Sequence, residues 1–495
     1  MSRMAIGRRV FLGSVGLGAA SMALAGCRTA SGGSAGGRSQ KPNIVFLMAD
    51  DMGYGDVGCY GATKIPTPNM DALAEQGVRF TDAHAPSAVC TPTRYGVLTG
   101  RYCWRSRLKH GVLDGFSPPL IEPERLTVAS MLRAQGYATA GVGKWHLGLG
   151  WAREGDEVDY AQPIAGGPVE LGFDYYFGIS ASLDFPPYCF IENDRTVGIP
   201  NVEKDPYNPQ QRKGLMVPGW EDDQVGPTVA AKACAFMEGH VRENPDQPFF
   251  LYMPTSAPHR PCVPPDFIKG RSQAGPRGDM VVEVDWALGE VVKTLERLQV
   301  ADNTLVIVTS DNGARPTCFN GKDYGHKSCG DWRGYKADIW DGGHRVPFIA
   351  RWPQRIAPGT TSTETICLTD LMATCAAITG TSLPDDAGPD SYNILPALLG
   401  EAGGEPIREA VVHHSFDGMF SIRQGRWKLV QGRGSGGFSK PRRVEPKAGE
   451  ALGQLYDMEA DPAEAKNVWL EYPEVVERLT AILDRYIEDG RSRPL

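Results

Sequence analysis

The chain lacks an excess of positive charge. Its 495 residues carry 51 Lys and Arg against 59 Asp and Glu, a formal net charge of −8. That balance excludes a general nucleic-acid binder, which needs a basic face or stripe; an anionic ligand has to be attracted by a local site. Internal repeats and low-complexity arrays are also missing, so no solenoid or array architecture is indicated. Cysteine is sparse and odd in number, 11 in all, which does not read as a disulfide framework in a chain this long. Whether Cys318 and Cys329 pair is left open. No P-loop is present, because Ala138 stands at its first glycine position and Trp145 follows Lys144. What remains is an ordinary globular composition. The length suits two or three average domains, or one large α/β domain with an appendage.

Residues 1–26 read as an export signal rather than as part of the fold. Arg8-Arg9-Val10-Phe11-Leu12 is a twin-arginine pattern followed by an apolar run. The run ends at Leu24-Ala25-Gly26-Cys27, which resembles a bacterial lipoprotein cleavage box. Cleavage there leaves Cys27 as a lipid-bearing N-terminus; a plain twin-arginine signal with soluble release is the alternative. The expected partner is the twin-arginine export machinery, and the expected location is the periplasm or the cell surface. A Gly/Ser-rich tether follows over residues 27–40.

Four apolar runs of strand length, Asn43–Met48, Tyr137–Val142, Phe249–Met253 and Thr304–Thr309, alternate with amphipathic helical patterns such as 228–242 and 279–299. Runs of that kind suit strands buried on both faces. The expectation is an α/β fold over residues 41–400, with a largely parallel sheet and helices on both sides. From about residue 405 shorter alternating strands and a capped helix over 473–487 predict a smaller C-terminal α+β domain, 401–495, with an antiparallel sheet.

In parallel sheets ligands gather beyond the C-terminal strand ends. Asp50-Asp51, Lys144 with His146, His259, and Asp311-Asn312 each stand just after a predicted strand. Alone, the two acids have a helix N-cap as their other reading, the Lys144–His146 pair a surface feature, and His259 a structural histidine. In extended geometry Lys144 and His146 would face one way and Trp145 the other. Cys90-Thr91-Pro92-Thr93-Arg94 reads as the start of a helix with Cys90 or Thr91 at the N-cap, a place that favours an anion. Its bland reading is a buried cysteine before an ordinary helix. Three Asp and one Asn are hard oxygen donors that suit Ca²⁺ or Mg²⁺ rather than zinc. Arg94, Lys144 and Lys336 with two histidines supply an oxyanion clamp and proton transfer. Residues 151–226 read as long loops that shape a pocket, with Asp184, Tyr188 and Asp194 as further candidates.

At this point the chain resembles the formylglycine-dependent sulfatases of the alkaline phosphatase superfamily. The resemblance rests on Cys90-Thr91-Pro92-Thr93-Arg94 with Thr99-Gly100-Arg101, Gly143-Lys144-Trp145-His146, Asp311-Asn312-Gly313 and Arg333-Gly334-Tyr335-Lys336. Tyr335, Asp341 and Val97 stand where the family often has Gly, Glu and Leu. The resemblance implies an alkaline-phosphatase-like fold and a sulfatase acting on a sulfated carbohydrate or aryl sulfate. It implies that a separate maturation enzyme oxidises Cys90 to formylglycine. Asp50, Asp51, Asp311, Asn312 and residue 90 would hold one Ca²⁺. The hydrated aldehyde would attack sulfur, His259 would protonate the leaving alcohol, and His146 would take the proton that releases sulfate. Arg94 would position the modified residue, while Lys144, His259 and Lys336 would bind substrate. The other readings are a phosphodiesterase or phosphonate hydrolase on the same scaffold, and a non-catalytic glycan-binding protein.

Overall fold

The computed structural model describes residues 41–315, 322 and 324–494. The export signal and tether, with Cys27, lie outside the described residues, as does Cys318. Cys329 is a buried free thiol, so it takes no part in the disulfide that the sequence left open, whereas Cys262 is disulfide-bonded.

The expected strands form. In chain order they are β1 (Asn43–Ala49), β2 (Val78–Phe80), β3 (Ala138–Lys144), β4 (Tyr175–Ile179), β5 (Ile191–Glu192), β6 (Arg195–Thr196), β7 (Phe249–Pro254), β8 (Thr304–Ser310), β9 (Phe348–Arg351) and β10 (Thr360–Ser362). They make one ten-stranded sheet in the order β10-β2-β9-β8-β1-β7-β3-β4-β5-β6. The five central strands, β8-β1-β7-β3-β4, are all parallel. β9 runs antiparallel to β8 and β2, and β5 antiparallel to β4 and β6, while β2 and β10 pair parallel at the edge, so the sheet is largely parallel with antiparallel pairings outside its centre. β4 was not foreseen: Tyr-Tyr-Phe-Gly-Ile lies inside the stretch expected as loop and has no alternating pattern.

Burial on both faces explains the continuous apolar runs. Ile44, Phe46 and Met48 of β1 enter one core with α2 (Cys90–Thr99), α3 (Val128–Ala134) and α6 (Leu371–Thr379). Val45, Leu47 and Ala49 enter the opposite core with α1 (Pro68–Glu75), α4 (Val225–Glu243) and α5 (Gly275–Arg297). At roughly 25 cal/mol per Å² of apolar surface, two dry faces supply most of the drive for this centre.

A second sheet of four antiparallel strands, β11 (Val411–His414), β12 (Phe420–Gln424), β13 (Trp427–Val430) and β14 (Gln454–Asp457), follows. The amphipathic α7 (Pro473–Glu488) buries Val475, Leu479, Ile482 and Leu483 on it. Tyr102 and Trp104 from the main sheet's side enter the same core. No helix among the described residues is long and apolar enough to cross a membrane.

Candidate active site

Register brings the polar strand ends to one edge. Ala49 of β1 pairs with Ser310 of β8, and Met48 pairs with Pro254 of β7. The residues after these strands therefore emerge side by side. Asp51 N–H donates to Asp311 Oδ1 at 3.1 Å, and Asp50 N–H donates to the Ala257 carbonyl at 2.9 Å. Asp51 and His146 adopt left-handed backbone, φ 71° and 58°, a conformation that non-glycine residues hold only when their surroundings impose it. β3 ends at Lys144, so His146 reaches the site through this turn, and the extended alternation expected for 144–146 does not apply. Trp145 still points into the core.

Cys90 is the first residue of α2, with Val89 at the N-cap. The cap expected at Cys90 or Thr91 is thus displaced by one or two positions: Val89 takes the extended cap backbone, φ −144° and ψ 158°. Cys90 remains in the first turn, where helix N–H groups lack intrahelical partners. Burial pushes its thiol above the usual value, against the pull of Lys144 and Lys336. Arg94, one turn on and fully buried, donates from Nη2 to Asp311 Oδ2 at 2.6 Å and from Nη1 to the Lys144 carbonyl at 3.1 Å. The same Nη2 lies 3.7 Å from Asp50 Oδ1.

Two lysines complete the set. Lys144 Nζ meets Asp50 Oδ2 at 2.7 Å, and Lys336 Nζ meets Asp51 Oδ1 at 2.7 Å. Asn312 Nδ2 also donates to Asp51 Oδ1, at 2.8 Å. All of these side chains are buried. Burial pushes the Asp50 carboxyl up to about 7, although Lys144 opposes it. For Asp51 burial acts in the same direction, but Lys336 and His259 outweigh it and hold the carboxyl well below the usual range.

The histidines have defined tautomers. His146 Nε2 lies 2.8 Å from the Leu113 carbonyl, which forces the proton onto Nε2 and leaves a buried Nδ1 lone pair without a partner. Burial, then Lys144 and Arg94, hold it well below the usual histidine value. His259 Nδ1 donates to the Arg260 carbonyl at 2.8 Å, and its Nε2 faces Asp51 Oδ2 at 3.7 Å. Burial and Lys336 lower it to about 3. Both rings are neutral in this resting arrangement.

The donor set fits a hard cation. Asp50, Cys90 and Asp311 each bring a ligand atom within 4.8 Å of one another. Asp50 Oδ1 and Asn312 Oδ1 are buried oxygens with no hydrogen-bond partner. Orphaned buried acceptors are costly, and they ask for a bound cation or water.

Of the weaker candidates, Asp184 joins the site and the other two do not. Asp184 is fully buried, with Oδ1 3.8 Å from His259 Nδ1. Tyr188 donates its hydroxyl to the Arg212 carbonyl, and Asp194 is exposed, its carbonyl accepting from Ile164. Missed in the sequence were Arg212 and Arg260, which both pair with Asp184, and Arg277, whose Nη2 donates to the Asp51 carbonyl at 2.7 Å. Arg212 and Arg260 lie in loops, where no periodicity marks them, and Arg277 lies in the first turn of α5.

A second buried cluster, His84, His344 and His413, brings its ring nitrogens within ligand distance. Its geometry argues against a metal. The His344 and His413 rings stack 3.8 Å apart at 11°, so their in-plane lone pairs run parallel instead of converging. Lys428 Nζ sits 3.2 Å from His344 Nε2. Polar contacts run from Lys428 to His344, from His344 Nδ1 to His84 Nδ1 at 3.0 Å, and from His84 Nε2 to Asp82 at 3.0 Å. They tie the C-terminal sheet to the main one.

Parallel strand ends that deliver three carboxylates, an amide and three buried cations to the first turn of a helix define a hydrolase of anionic esters. The chain belongs to the sulfatase family: residues 42–381 match the family described as Sulfatase, and it is a sulfuric ester hydrolase. It is similar to an N-acetylgalactosamine-6-O-sulfatase of Bacteroides thetaiotaomicron, 38% identical over 504 residues that cover 93% of this chain and 96% of the relative. Human arylsulfatase A is 33% identical over 452 residues, covering 87% and 84%. Among solved structures, a protein from a Bacteroides thetaiotaomicron locus for the metabolism of multiple glycosaminoglycans matches with TM-score 0.79 and 35% identity, over 90% of this chain and 99% of that one. A Pseudoalteromonas sulfatase matches with TM-score 0.71 and 26% identity, over 90% of each.

Proposed function

We propose that the protein removes sulfate from a sulfated carbohydrate, with residue 90 matured from cysteine to formylglycine and one Ca²⁺ held by Asp50, Asp51, Asp311 and Asn312 beside it. The observation that carries this reading is the convergence of buried Cys90 with three acid–base pairs, Asp50–Lys144, Asp51–Lys336 and Asp311–Arg94. The thiol itself is a poor nucleophile here, because burial keeps it protonated. Formylglycine supplies a geminal diol, a nucleophile with an internal route for expelling sulfate. Ca²⁺ supplies charge stabilisation for sulfate oxygens.

The chain's own residues do the rest. Each lysine ammonium carries three donors, so Lys144 and Lys336 can hold a carboxylate and a sulfate oxygen at once. Arg94 fixes Asp311 and the end of β3, which sets the spacing between the metal ligands and Lys144. An arriving sulfate anion counters Lys336 and raises the proton affinity of His259, whose Nε2 then protonates the leaving alcohol. His146 offers its Nδ1 lone pair as the acceptor for the proton lost at sulfate release. The carbohydrate class follows the names of the relatives, one an N-acetylgalactosamine-6-O-sulfatase. The twin arginines and the Leu24–Cys27 box support export by the twin-arginine route and lipid anchoring at Cys27, with a separate enzyme performing the maturation.

The test combines mass spectrometry of residue 90 with assays on an aryl sulfate and an aryl phosphate diester. Formylglycine with sulfate release, abolished in Cys90→Ala, is expected. An intact thiol in fully active protein would sink the mechanism, and faster turnover of the diester would move the activity to phosphodiester hydrolysis.

A further inference from the structure

The mouth of the site carries more positive charge than its own acids neutralise. Asp184 is buried, and one carboxylate oxygen, Oδ2, takes all its arginine ion-pair contacts: Arg212 Nη1 at 2.8 Å, Arg260 Nε at 3.1 Å and Arg260 Nη2 at 3.0 Å. The Arg212 guanidinium lies over the Phe185 ring at 3.7 Å, and that ring is 6.0 Å from His146. Arg260 follows His259 directly. A third guanidinium, Arg315, stands three residues beyond Asn312 and over Phe438 at 5.3 Å. Among the described residues it has no carboxylate partner. Arg260 pushes its pKa down, as a like charge does, after burial. Arg212 and Arg260 thus share one carboxylate, and Arg315 adds a guanidinium beside them. Two of them keep exposed surface, the side chain of Arg212 at 48% and that of Arg260 at 25%. In a chain of net charge −8, such an excess is a local device.

We propose that Arg212, Arg260 and Arg315 form a second oxyanion subsite beside the sulfate pocket, so that the enzyme selects esters bearing a further anionic group on the neighbouring sugar. This rests on the sulfatase reading above. Planar guanidinium forks suit carboxylate and sulfate equally, so the shared chemistry is an oxyanion on the adjoining residue. The aromatic faces of Phe185 and Phe438 hold two of the forks in place while leaving their N–H groups available.

Three disaccharides test it: one sulfate with a neutral neighbour, the same with a uronic acid neighbour, and the same with a second sulfate on the neighbour. Sulfate release is measured at low and high salt for wild type, Arg315→Gln, Arg212→Gln and Arg315→Lys. Arg260 is left intact because it follows His259 directly and its carbonyl accepts from His259 Nδ1. The wild type is expected to prefer at least one doubly anionic substrate by about tenfold or more in kcat/KM, carried by KM and weakened by salt. The Gln variants should lose that ratio and Arg315→Lys retain part of it. The arm that shows the preference identifies carboxylate or sulfate. Equal kcat/KM on all three substrates overturns the proposal. Calorimetric binding of the same disaccharides separates the two readings. A preference for the second anion without turnover would keep the subsite and remove the sulfatase mechanism. Equal affinities would remove the subsite whatever the turnover.

Discussion

Replacing Lys336 by Met tests the charge logic of the site in two independent ways. Lys336 is 6% exposed and Asp51 2%, and the ammonium meets both carboxylate oxygens, at 2.7 and 2.9 Å. Met keeps the length of the side chain and removes the charge. The loop stays anchored, because the backbone N–H of Lys336 donates to Ala314 and that of Ala337 to Ala88. Asp51 would keep the Asn312 bond, leaving a buried carboxylate near Asp50 and Asp311 without its cation. Breaking one side of a buried pair costs about 3–5 kcal/mol. With an unfolding entropy of about 2.1 cal/mol/K per residue, 1 kcal/mol corresponds to about 1 °C in a chain of 495 residues. The metal-free variant should therefore melt about 3–5 °C below the wild type. Ca²⁺ should recover part of the loss, since a divalent cation replaces the missing charge. Sulfate release should fall about 10²- to 10³-fold, the usual cost of one oxyanion donor. Differential scanning fluorimetry with and without Ca²⁺ reads the first effect and sulfate quantitation the second. A variant that melts with the wild type and releases sulfate at the wild-type rate refutes the reasoning entirely. Lost stability that Ca²⁺ leaves untouched would refute the assignment of Asp51 to a metal.

Chelation should abolish sulfate release, and Ca²⁺ should restore it; activity indifferent to chelator would argue against the oxygen-donor site. His84 and His414 are held down at about 4, His84 by burial and Arg345 and His414 by burial alone. Their ordinary value is about 6.5, so the unfolded chain binds more protons between pH 6.5 and 4. The stability that depends on their being neutral is complete above about pH 6.5 and lost as the pH falls towards 4, with a slope of about 1.4 kcal/mol per pH unit for each ring. Denaturant melts across that window check it, and a midpoint independent of pH would contradict it. Gly143 has φ +137°, and a Cβ there would stand 1.9 Å from the Pro254 carbonyl oxygen. Gly143→Ala should cost at least the 1–3 kcal/mol of backbone strain, about that much before the clash is counted, and should displace Lys144; an unaltered urea midpoint would show that β3 and β7 can part more easily than their packing implies.

Strands β1, β7 and β8 were legible because each is buried on both faces and so had to be apolar throughout. The polar positions proposed for the metal and the sulfate were legible for the complementary reason. Asp50, Asp51, Lys144, Asp311 and Asn312 are abrupt polar residues at the ends of those runs, where a buried charge persists only with a partner. Geometry beyond the strand end was less visible. His146 arrives through a left-handed turn, and the helix cap falls on Val89, because both depend on how the chain turns at the sheet edge and not on residue type. Asp184, Arg212, Arg260 and Arg315 come from four loops joined only in space. The His84, His344 and His413 cluster is assembled from separate segments of the chain. Neither leaves a periodic trace.

The three acid–base pairs of the site are balanced in number but not in effect. Asp51 has Lys336 almost to itself, with Asn312 adding a donor, and its carboxyl is held low. Asp311 takes the Arg94 fork at 2.6 and 3.2 Å. Asp50 has Lys144 at 2.7 Å, but Arg94 reaches it only at 3.7 Å, and both Asp311 and Asp51 repel its charge. Burial therefore wins there, the carboxyl rises to about 7 and Oδ1 is left without a partner. A site built only to be stable would have no reason to keep that imbalance, since a third well-paired acid or an apolar residue would serve better. The imbalance makes sense if another cation belongs beside Asp50, next to the orphan oxygen of Asn312 and the side chain of residue 90. Removing Asp50 alone discriminates the two cases. Asp50→Asn should raise the stability of the metal-free protein or leave it unchanged, because a strained buried acid is lost, while abolishing the gain that Ca²⁺ gives the wild type. If the substitution instead destabilises the metal-free protein by several kcal/mol and Ca²⁺ still raises its melting temperature, Asp50 is a structural partner of Lys144 and not a ligand.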